Sequence, residues 1–403
     1  MSENKKSVHV IEKYFLPVTA GIEVNMSETY SKLAERDWNI TMHTSTDTLT
    51  EKRVLPKSDL IKGINVKRYE FGKFGFWPDI DWNNADYVCL HNFNVFPHFL
   101  LMAYTLWLKL LGKKHYSLFL TPHGGFNPEW RVFPKWVAII KSTYHFTIGT
   151  LLVNLSVDGV RAVSNWEKAE MIKKGINPQK IVVIDNGIED EAYLDLDKAA
   201  SDDIKKKVTD FGRYIIQIGR VYPIKNYETV IKAMPYIPSD IKFLIVGPIE
   251  INRQAGYKQK LDNLIKQLKL EDRVLFLGVV KGADKFYLIK NAQMMVHMAL
   301  WESFCNVVHE GLSQGLVCIV ANNTALPFLI KDGINGYCVG TMDDAEVANK
   351  INYVLNNANT KELTEMKERN REYGLKNSWR DVSNRMYNFY TLTNLGKLNE
   401  YVG

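Results

Sequence analysis

Short apolar runs alternate with helical segments along this chain in two successive series, and that alternation leaves few folds open. The first series is Val8 to Ile11, Asn39 to Thr44, Tyr87 to His91, Ser117 to Pro122, Gly159 to Ser164 and Ile181 to Asp185. The second is Tyr214 to Ile218, Lys242 to Val246, Val274 to Leu277, Met294 to Met298, Leu316 to Val320 and Gly336 to Val339. Helical stretches such as Asn226 to Met234 and Tyr257 to Leu268 lie between the runs. Strands joined through helices pair in parallel, because a parallel partner is reached only by a crossover. Each series therefore predicts an open, doubly wound α/β sheet, and 403 residues suffice for two such Rossmann-like domains. The polar stretch Glu189 to Asp210 divides the series and reads as a linker, giving domains over residues 1–190 and 205–377. The amphipathic tail, residues 378–403, is expected to pack back on the first domain. The two domains are expected to face a central cleft, where strand C-terminal ends and helix N-termini converge on a ligand.

Composition narrows the setting. Hydrophobic residues at 46% and charged residues at 24% are those of a globular protein. Cys89, Cys305, Cys318 and Cys338 form no CxxC pair, so neither a zinc site nor a disulfide framework is indicated, and a reducing cytoplasm fits. The N-terminal MSENKKSVHVIEKYF holds no apolar run long enough for a signal peptide. Charges interrupt the two most apolar stretches, Val95 to Leu111 and Trp136 to Leu155, so no membrane-spanning helix is expected.

The +6 net charge is unevenly placed. Lys109, Lys113, Lys114, Arg131, Lys135 and Lys141 face only Glu129 between Val95 and Val157, interleaved with Trp107, Tyr116, Phe119, Trp130, Phe133, Trp136 and Tyr144. No nucleic-acid motif accompanies them, so nucleic acid is not the expected partner. An anionic membrane surface on the cytoplasmic side or an anionic acceptor fits better, beside the plain reading of a solvated helix face.

Chemistry concentrates in WESFCNVVHEG, residues 301–311, where Glu302 and Glu310 stand eight positions apart across a loop entering a helix. A fully helical interval would separate them by roughly 12 Å, which suits the two ends of an extended ligand. Paired glycosidase carboxylates sit about 5 to 9 Å apart, so a simple hydrolase is disfavoured. Taken alone, two helix glutamates are more often solvated charges; here Phe304, Val307, Val308 and Leu312 surround them with an apolar face. Upstream, GRVYPIKN brings Arg220 and Lys225 to a helix entry, an arrangement for a diphosphate, with a solvated turn as the bland alternative. PVTAGIEVN sets Gly21 between strand and helix, TPHGG puts His123 at a strand end, and DNGI and VGP read as turns. The GxGxxG fingerprint of nicotinamide enzymes is missing from these loops.

WESFCNVVHEG, GRVYPIKN, TPHGG and DNGI together resemble the family 4 retaining glycosyltransferases of GT-B fold, the glycosyl transferases group 1, over nearly the whole chain. The resemblance implies that Arg220 and Lys225 hold the donor diphosphate, that Glu310 binds the ribose hydroxyls and that Glu302 meets the transferred sugar. It further implies backbone contacts from Phe304, Cys305, Asn306 and Val307 to sugar and phosphates. Gly21 would face the diphosphate, His123 would approach the reacting carbon, and Val279 and Val280 would read the base. Glu302, His123, Arg220 and Lys225 are then the catalytic set, with no metal and no cofactor, because the two cations take a metal's place. WPDIDW, residues 77–82, mimics the metal-binding Asp-x-Asp of another fold but lies in a loop without that context.

The chain departs from the family where Gly is common at Cys305, Ala at Gly311, Gly-x-Pro-Val at Gly315 to Cys318, and glycines at Asn322 to Leu326. The expected activity is retaining transfer of a sugar from a nucleotide-sugar, a UDP-sugar slightly ahead of a GDP-sugar, to a glycan or lipid-linked hydroxyl in surface polysaccharide or glycolipid synthesis. A sugar-nucleotide epimerase, an inverting transferase and a non-catalytic sugar-nucleotide sensor remain the alternatives, because fold alone does not fix the reaction.

Overall fold

A computed structural model describes residues 5–18, 21–36, 38–49, 51–93, 96–127, 135–249 and 255–401. The chain divides into two compact units, Met1–Gly187 with Trp379–Gly403, and Ile188–Ser378.

The first unit is built on eight strands: β1 (Ser7–Ile11), β2 (Asn39–Ser45), β3 (Ser58–Ile61), β4 (Ile64–Tyr69), β5 (Tyr87–His91), β6 (Ser117–Thr121), β7 (Gly159–Ala162) and β8 (Ile181–Val183). Their order is β3-β4-β2-β1-β5-β6-β7-β8. Every residue of β5, β6 and β7 is buried, as expected of strands covered on both faces. Parallel pairing fails at one edge, where β3 runs antiparallel to β4. These two strands went unread because β4 carries Lys67 and Arg68 and is no apolar run. Its burial nevertheless alternates residue by residue, and Lys62 and Gly63, both at positive φ, make a two-residue hairpin turn.

The second unit carries β9 (Tyr214–Ile218), β10 (Lys242–Val246), β11 (Val274–Gly278), β12 (Met294–His297), β13 (Cys318–Ala321) and β14 (Gly336–Val339). All pair in parallel, in the order β11-β10-β9-β12-β13-β14.

The linker expected over Glu189 to Asp210 is instead part of this unit. It forms a short turn and the helices Leu196–Ala199 and Asp202–Phe211, and its few apolar side chains join the core. Ile188, Ala192, Leu196, Ala200 and Ile204 are all buried and recur every fourth residue, a helical stripe too sparse to register against the surrounding charge.

The C-terminal helix Trp379–Asn394 belongs to the first unit. It packs along the helix Gly21–Ala34 and buries Trp379, Val382, Met386, Phe389 and Tyr390 in the core beside β1, β2 and β6. Gly187 permits this close approach, since a Cβ there would stand 2.8 Å from the Trp379 ring. Among the described residues no helix is long and apolar enough to cross a membrane.

Candidate active site

Strand order locates the site before any side chain is considered. In the second unit the chain winds outward from β9 on one side and from β12 on the other, so their loops part at the strand C-terminal ends. The segments leaving those ends are residues 219–226 and 298–305, which hold Arg220, Lys225, Glu302, Phe304 and Cys305. Gly219 and Gly247 close the ends of β9 and β10 tightly: a Cβ on Gly247 would lie 2.1 Å from the Gly219 carbonyl oxygen.

Hydrogen bonds tie the two segments together. Asn226, left-handed at φ 51 and ψ 51, donates through Nδ2 to the carbonyls of Met298 at 3.0 Å and Thr341 at 2.8 Å. Gln217 Nε2 donates to the Lys225 carbonyl at 2.8 Å, and the Leu300 N–H to the Ile224 carbonyl at 2.7 Å. Lys225 is thereby held opposite Glu302. Its Nζ donates to Glu302 Oε1 at 2.5 Å, and His297 Nε2 donates to the same oxygen at 2.9 Å. The Glu302 N–H donates to Thr324 Oγ1 at 3.0 Å. Among the described residues Glu302 Oε2 takes no such bond. Burial pushes the Glu302 carboxyl up, but the Lys225 ammonium and the His297 donor outweigh it and bring it down to about 2. Glu302 is therefore a carboxylate at neutral pH. His297, Glu302 and Cys305 bring potential ligand atoms within 4.8 Å of one another, the one such metal-sized group among the described residues; the Lys225 ammonium already holds a cation's place beside Glu302. Arg220, on the same loop, lies with its guanidinium 5.7 Å from the centre of the Tyr222 ring.

Glu310 has its own cation. It sits in the helix Asn306–Ser313, buried, with Oε1 3.1 Å from Lys285 Nζ, which also reaches Glu189 Oε2 at 3.0 Å. Glu310 Oε2 is buried and has no hydrogen-bond partner among the described residues. Burial raises the Glu310 carboxyl to about 7, with Lys285 pulling down and Glu189 pushing up. Phe304 and Cys305 are buried just ahead of that helix, and Asn306 and Val307 are its first residues. Val279 and Val280 follow β11, with Val279 exposed.

In the first unit Gly21 opens the helix Gly21–Ala34; Thr19 and Ala20 before it lie outside the described residues. His123 follows β6 in left-handed backbone at φ 50, and its Nε2 meets His91 Nδ1 at 2.9 Å. Burial, with the Arg161 charge adding to it, lowers the His123 ring to about 3, so it is neutral.

With this geometry in place, comparison assigns the family. Residues 19–192 match the model of glycosyltransferase family 4 and residues 200–373 that of glycosyl transferases group 1. The chain belongs to the family 4 glycosyltransferases. It is 26% identical over 188 residues to a Campylobacter jejuni N-acetylgalactosamine-N,N'-diacetylbacillosaminyl-diphospho-undecaprenol 4-alpha-N-acetylgalactosaminyltransferase, covering 45% of this chain and 47% of that one. It is 28% identical over 205 residues to a Bacillus anthracis N-acetyl-alpha-D-glucosaminyl L-malate synthase, covering 49% and 50%. The chain thus spans about half the length of these curated relatives. Among solved structures, Anabaena HepE in complex with UDP and glucose superposes with a TM-score of 0.73 at 18% identity, over 96% of this chain and 99% of that one. That likeness carries the fold, two parallel-sheet Rossmann-like domains of GT-B type.

Two departures of this glycosyltransferase from its family acquire a physical meaning. Cys305 stands at φ 81 and Thr324 at φ 44, left-handed positions that glycine occupies without strain, and Thr324 supplies the hydroxyl that fixes the Glu302 backbone. His297, Thr324, Lys285, Glu189 and His91 were missed in the sequence. Lys285 and Glu189 lie 96 positions apart, a separation that leaves no local signal.

The carboxylates of WPDIDW are already engaged: Asp79 pairs with Lys67 at 2.8 Å and Asp81 accepts from Asn84 Nδ2 at 2.7 Å. The basic, aromatic flank needs correction. Arg131, Glu129, Trp130 and Phe133 lie outside the described residues. Lys114 is paired with Asp158, Lys109 donates to the Leu155 carbonyl at 3.0 Å, and Tyr116, Phe119 and Tyr144 are buried in the core.

Proposed function

We propose that this family 4 glycosyltransferase moves a sugar, with retention of configuration and without a metal, from a nucleotide-sugar to a hydroxyl of a glycan or lipid-linked acceptor. The observation that carries this reading is the partly buried contact of Lys225 with Glu302. Both cationic and hydrogen-bonding contacts to Glu302 fall on Oε1, so Oε2 is left to accept from a sugar hydroxyl, while Lys225 stands beside it to meet the diphosphate. Arg220 and Lys225 stabilise the charge that builds on the leaving diphosphate as the glycosidic bond breaks, with Lys225 already held in place by Glu302. The departing phosphate oxygen takes the acceptor's proton. Glu310 Oε2, buried without a partner among the described residues, accepts from the ribose hydroxyls, and backbone groups at Cys305, Asn306 and Val307 contact sugar and phosphate. In the first unit Gly21 is assigned to a diphosphate and His123 to a sugar, and in the second Val279 and Val280 to the base. UDP is the favoured nucleotide, since it is the one bound in Anabaena HepE. The test is turnover against a panel of UDP- and GDP-sugars, with the product anomer read by NMR. Retention with a UDP-sugar supports the reading; an inverted product or no turnover with any donor overturns it.

The same reading places the enzyme on an anionic membrane surface, where a lipid-linked acceptor resides. Support comes from three helices of the first unit, His98–Leu110, Lys135–Phe146 and Ile148–Ser156, which contain no acidic residue. They expose Leu110 at 78% and Trp136 at 67%, with Trp107, Ile139, Ile140 and Leu151 more than half exposed. Lys113 and Lys135 are exposed on the same segments. Contiguous apolar side chains with unopposed bases suit the boundary between headgroups and acyl chains.

A further inference from the structure

Four side chains of the first unit form one continuous hydrogen-bonded row. Tyr390 Oη of the C-terminal helix lies 2.9 Å from Tyr30 Oη; Tyr30 Oη lies 2.7 Å from His91 Nε2; His91 Nδ1 lies 2.9 Å from His123 Nε2. Tyr390, Tyr30 and His91 are buried to within 1% of full burial, so water does not interrupt the row. His98 Nε2 donates to the His91 carbonyl at 2.9 Å and holds that ring's backbone in place.

Each hydroxyl carries one proton and each neutral imidazole one, so the row can be polarised in only two ways. If His123 Nε2 carries its proton, it donates to His91 Nδ1, His91 Nε2 donates to Tyr30, and Tyr30 donates to Tyr390. One hydroxyl proton of the Tyr30–Tyr390 pair is then left with the weak sulfur acceptor of Cys89, which interacts with both hydroxyls; Arg161, which also acts on Tyr390, is a donor and offers no acceptor. If the row runs the other way, Tyr390 donates to Tyr30 and Tyr30 donates to His91 Nε2. His91 Nδ1–H then donates to His123 Nε2, and every proton rests on an oxygen or nitrogen. A buried donor without a good acceptor is penalised enough to select the second polarity by about fivefold or more.

We propose that Tyr30 and His91 are positioning residues that fix His123 as its Nδ1–H tautomer, making it a permanent hydrogen-bond donor at the C-terminal end of β6. The role of that donor rests on the reading above, in which His123 meets the transferred sugar: an N–H there binds a sugar hydroxyl oxygen and does not act as a base. His123 Nδ1 has no hydrogen-bond partner among the described residues, so its capacity to donate is not spent within them. The ring nitrogen that carries the proton is set by the bond its other nitrogen makes, and here three further side chains enforce that choice.

The tautomer is read directly by long-range 1H–15N correlation on histidine-labelled full-length protein at neutral pH, with His123 assigned by its loss in His123→Gln. The expected wild-type spectrum has His123 protonated at Nδ1 and bare at Nε2; protonation at Nε2 overturns the proposal. Tyr30→Phe keeps the ring and removes the donor to His91, and is expected to turn His123 into a mixture of tautomers. An unchanged His123 pattern in that variant overturns the positioning role. Should Tyr30→Phe not fold, the wild-type spectrum alone decides. Neither measurement needs donor or acceptor, so this inference can fail while sugar transfer stands, and the reverse. With a turned-over donor, Tyr30→Phe is expected to lower kcat about tenfold and leave nucleotide affinity unchanged; an unchanged kcat removes the link to catalysis.

Discussion

Lys225 and Glu302 are each other's partners, and that mutual engagement decides what their loss would do. Lys225→Ala removes the charge facing the leaving group and leaves the Glu302 carboxylate with His297 alone. Turnover is expected to fall about a hundredfold, as for other preorganised charge partners, with Arg220→Ala falling by a similar factor and far-ultraviolet circular dichroism of both unchanged. Near wild-type rates in both would remove the diphosphate role. Glu310 offers a second test through pH. Its carboxyl is raised to about 7, so it is protonated below that value and ionised above it. Only the ionised form accepts from both ribose hydroxyls, so binding gains strength as pH rises through 7. UDP affinity measured by calorimetry is expected to climb about tenfold from pH 6 to pH 8. Glu310→Gln is expected to bind more weakly and to show only the pH dependence of the phosphate itself; a slope like that of wild type would make Glu310 structural.

Between helices, a close approach near the site is that of the helix Lys361–Leu375 to the Glu310 helix. Gly374 makes it: a Cβ there would stand 2.4 Å from the Ser313 backbone nitrogen and Cα. Gly374→Ala must push the helices apart, and overpacking of this kind costs about 1–3 kcal/mol. A lowered melting temperature with weakened UDP binding is expected; a melting curve like that of wild type would show the contact to be soft. The elements were largely legible in the sequence where burial is two-sided, because runs such as Tyr87 to His91 and Tyr214 to Ile218 are uncharged and mostly apolar, broken only by His91 and Gln217. They were not legible where burial is one-sided and charge intervenes, as in β4 with Lys67 and Arg68, or in the stripe from Ile188 to Ile204. The site followed the same division. Glu302, Glu310 and Lys225 stand in dense local patterns, whereas Thr324 and Lys285 arrive from elsewhere in the chain, and His297, five residues before Glu302, reads only as the last residue of a strand. Cys305 and Thr324 looked like losses of glycine; the backbone shows that both keep the left-handed turn.

At the scale of the molecule, the exposed helices and the C-terminal helix each set a test. Each free base contributes about 1 kcal/mol near an anionic surface, and each inserted apolar side chain about 1.5–3 kcal/mol when fully buried. With Lys114 paired, the apolar term is the larger, so sedimentation with anionic vesicles is expected to weaken but persist at high salt. Ile139→Asp with Ile140→Asp is expected to abolish it; a wild type that ignores anionic vesicles at low salt would leave the flank an ordinary face. Deleting Trp379 onward removes five fully packed side chains from the first unit. At about 1.5–3 kcal/mol each, their sum is of the order of a whole domain's stability. The truncated chain is therefore expected to lose the first unit's melting transition and keep the second unit's. Because the chain leaves the first unit at Gly187 and returns at Trp379, the second unit is an insertion within the first. A ribosome making this protein finishes the β9–β14 sheet before it has supplied the helix that covers Tyr30 and Val8. At about 5–20 residues per second the first sheet waits for a time on the order of ten to forty seconds with that face bare, a window in which a chaperone, or a neighbouring nascent chain, finds the surface that Trp379 will later own.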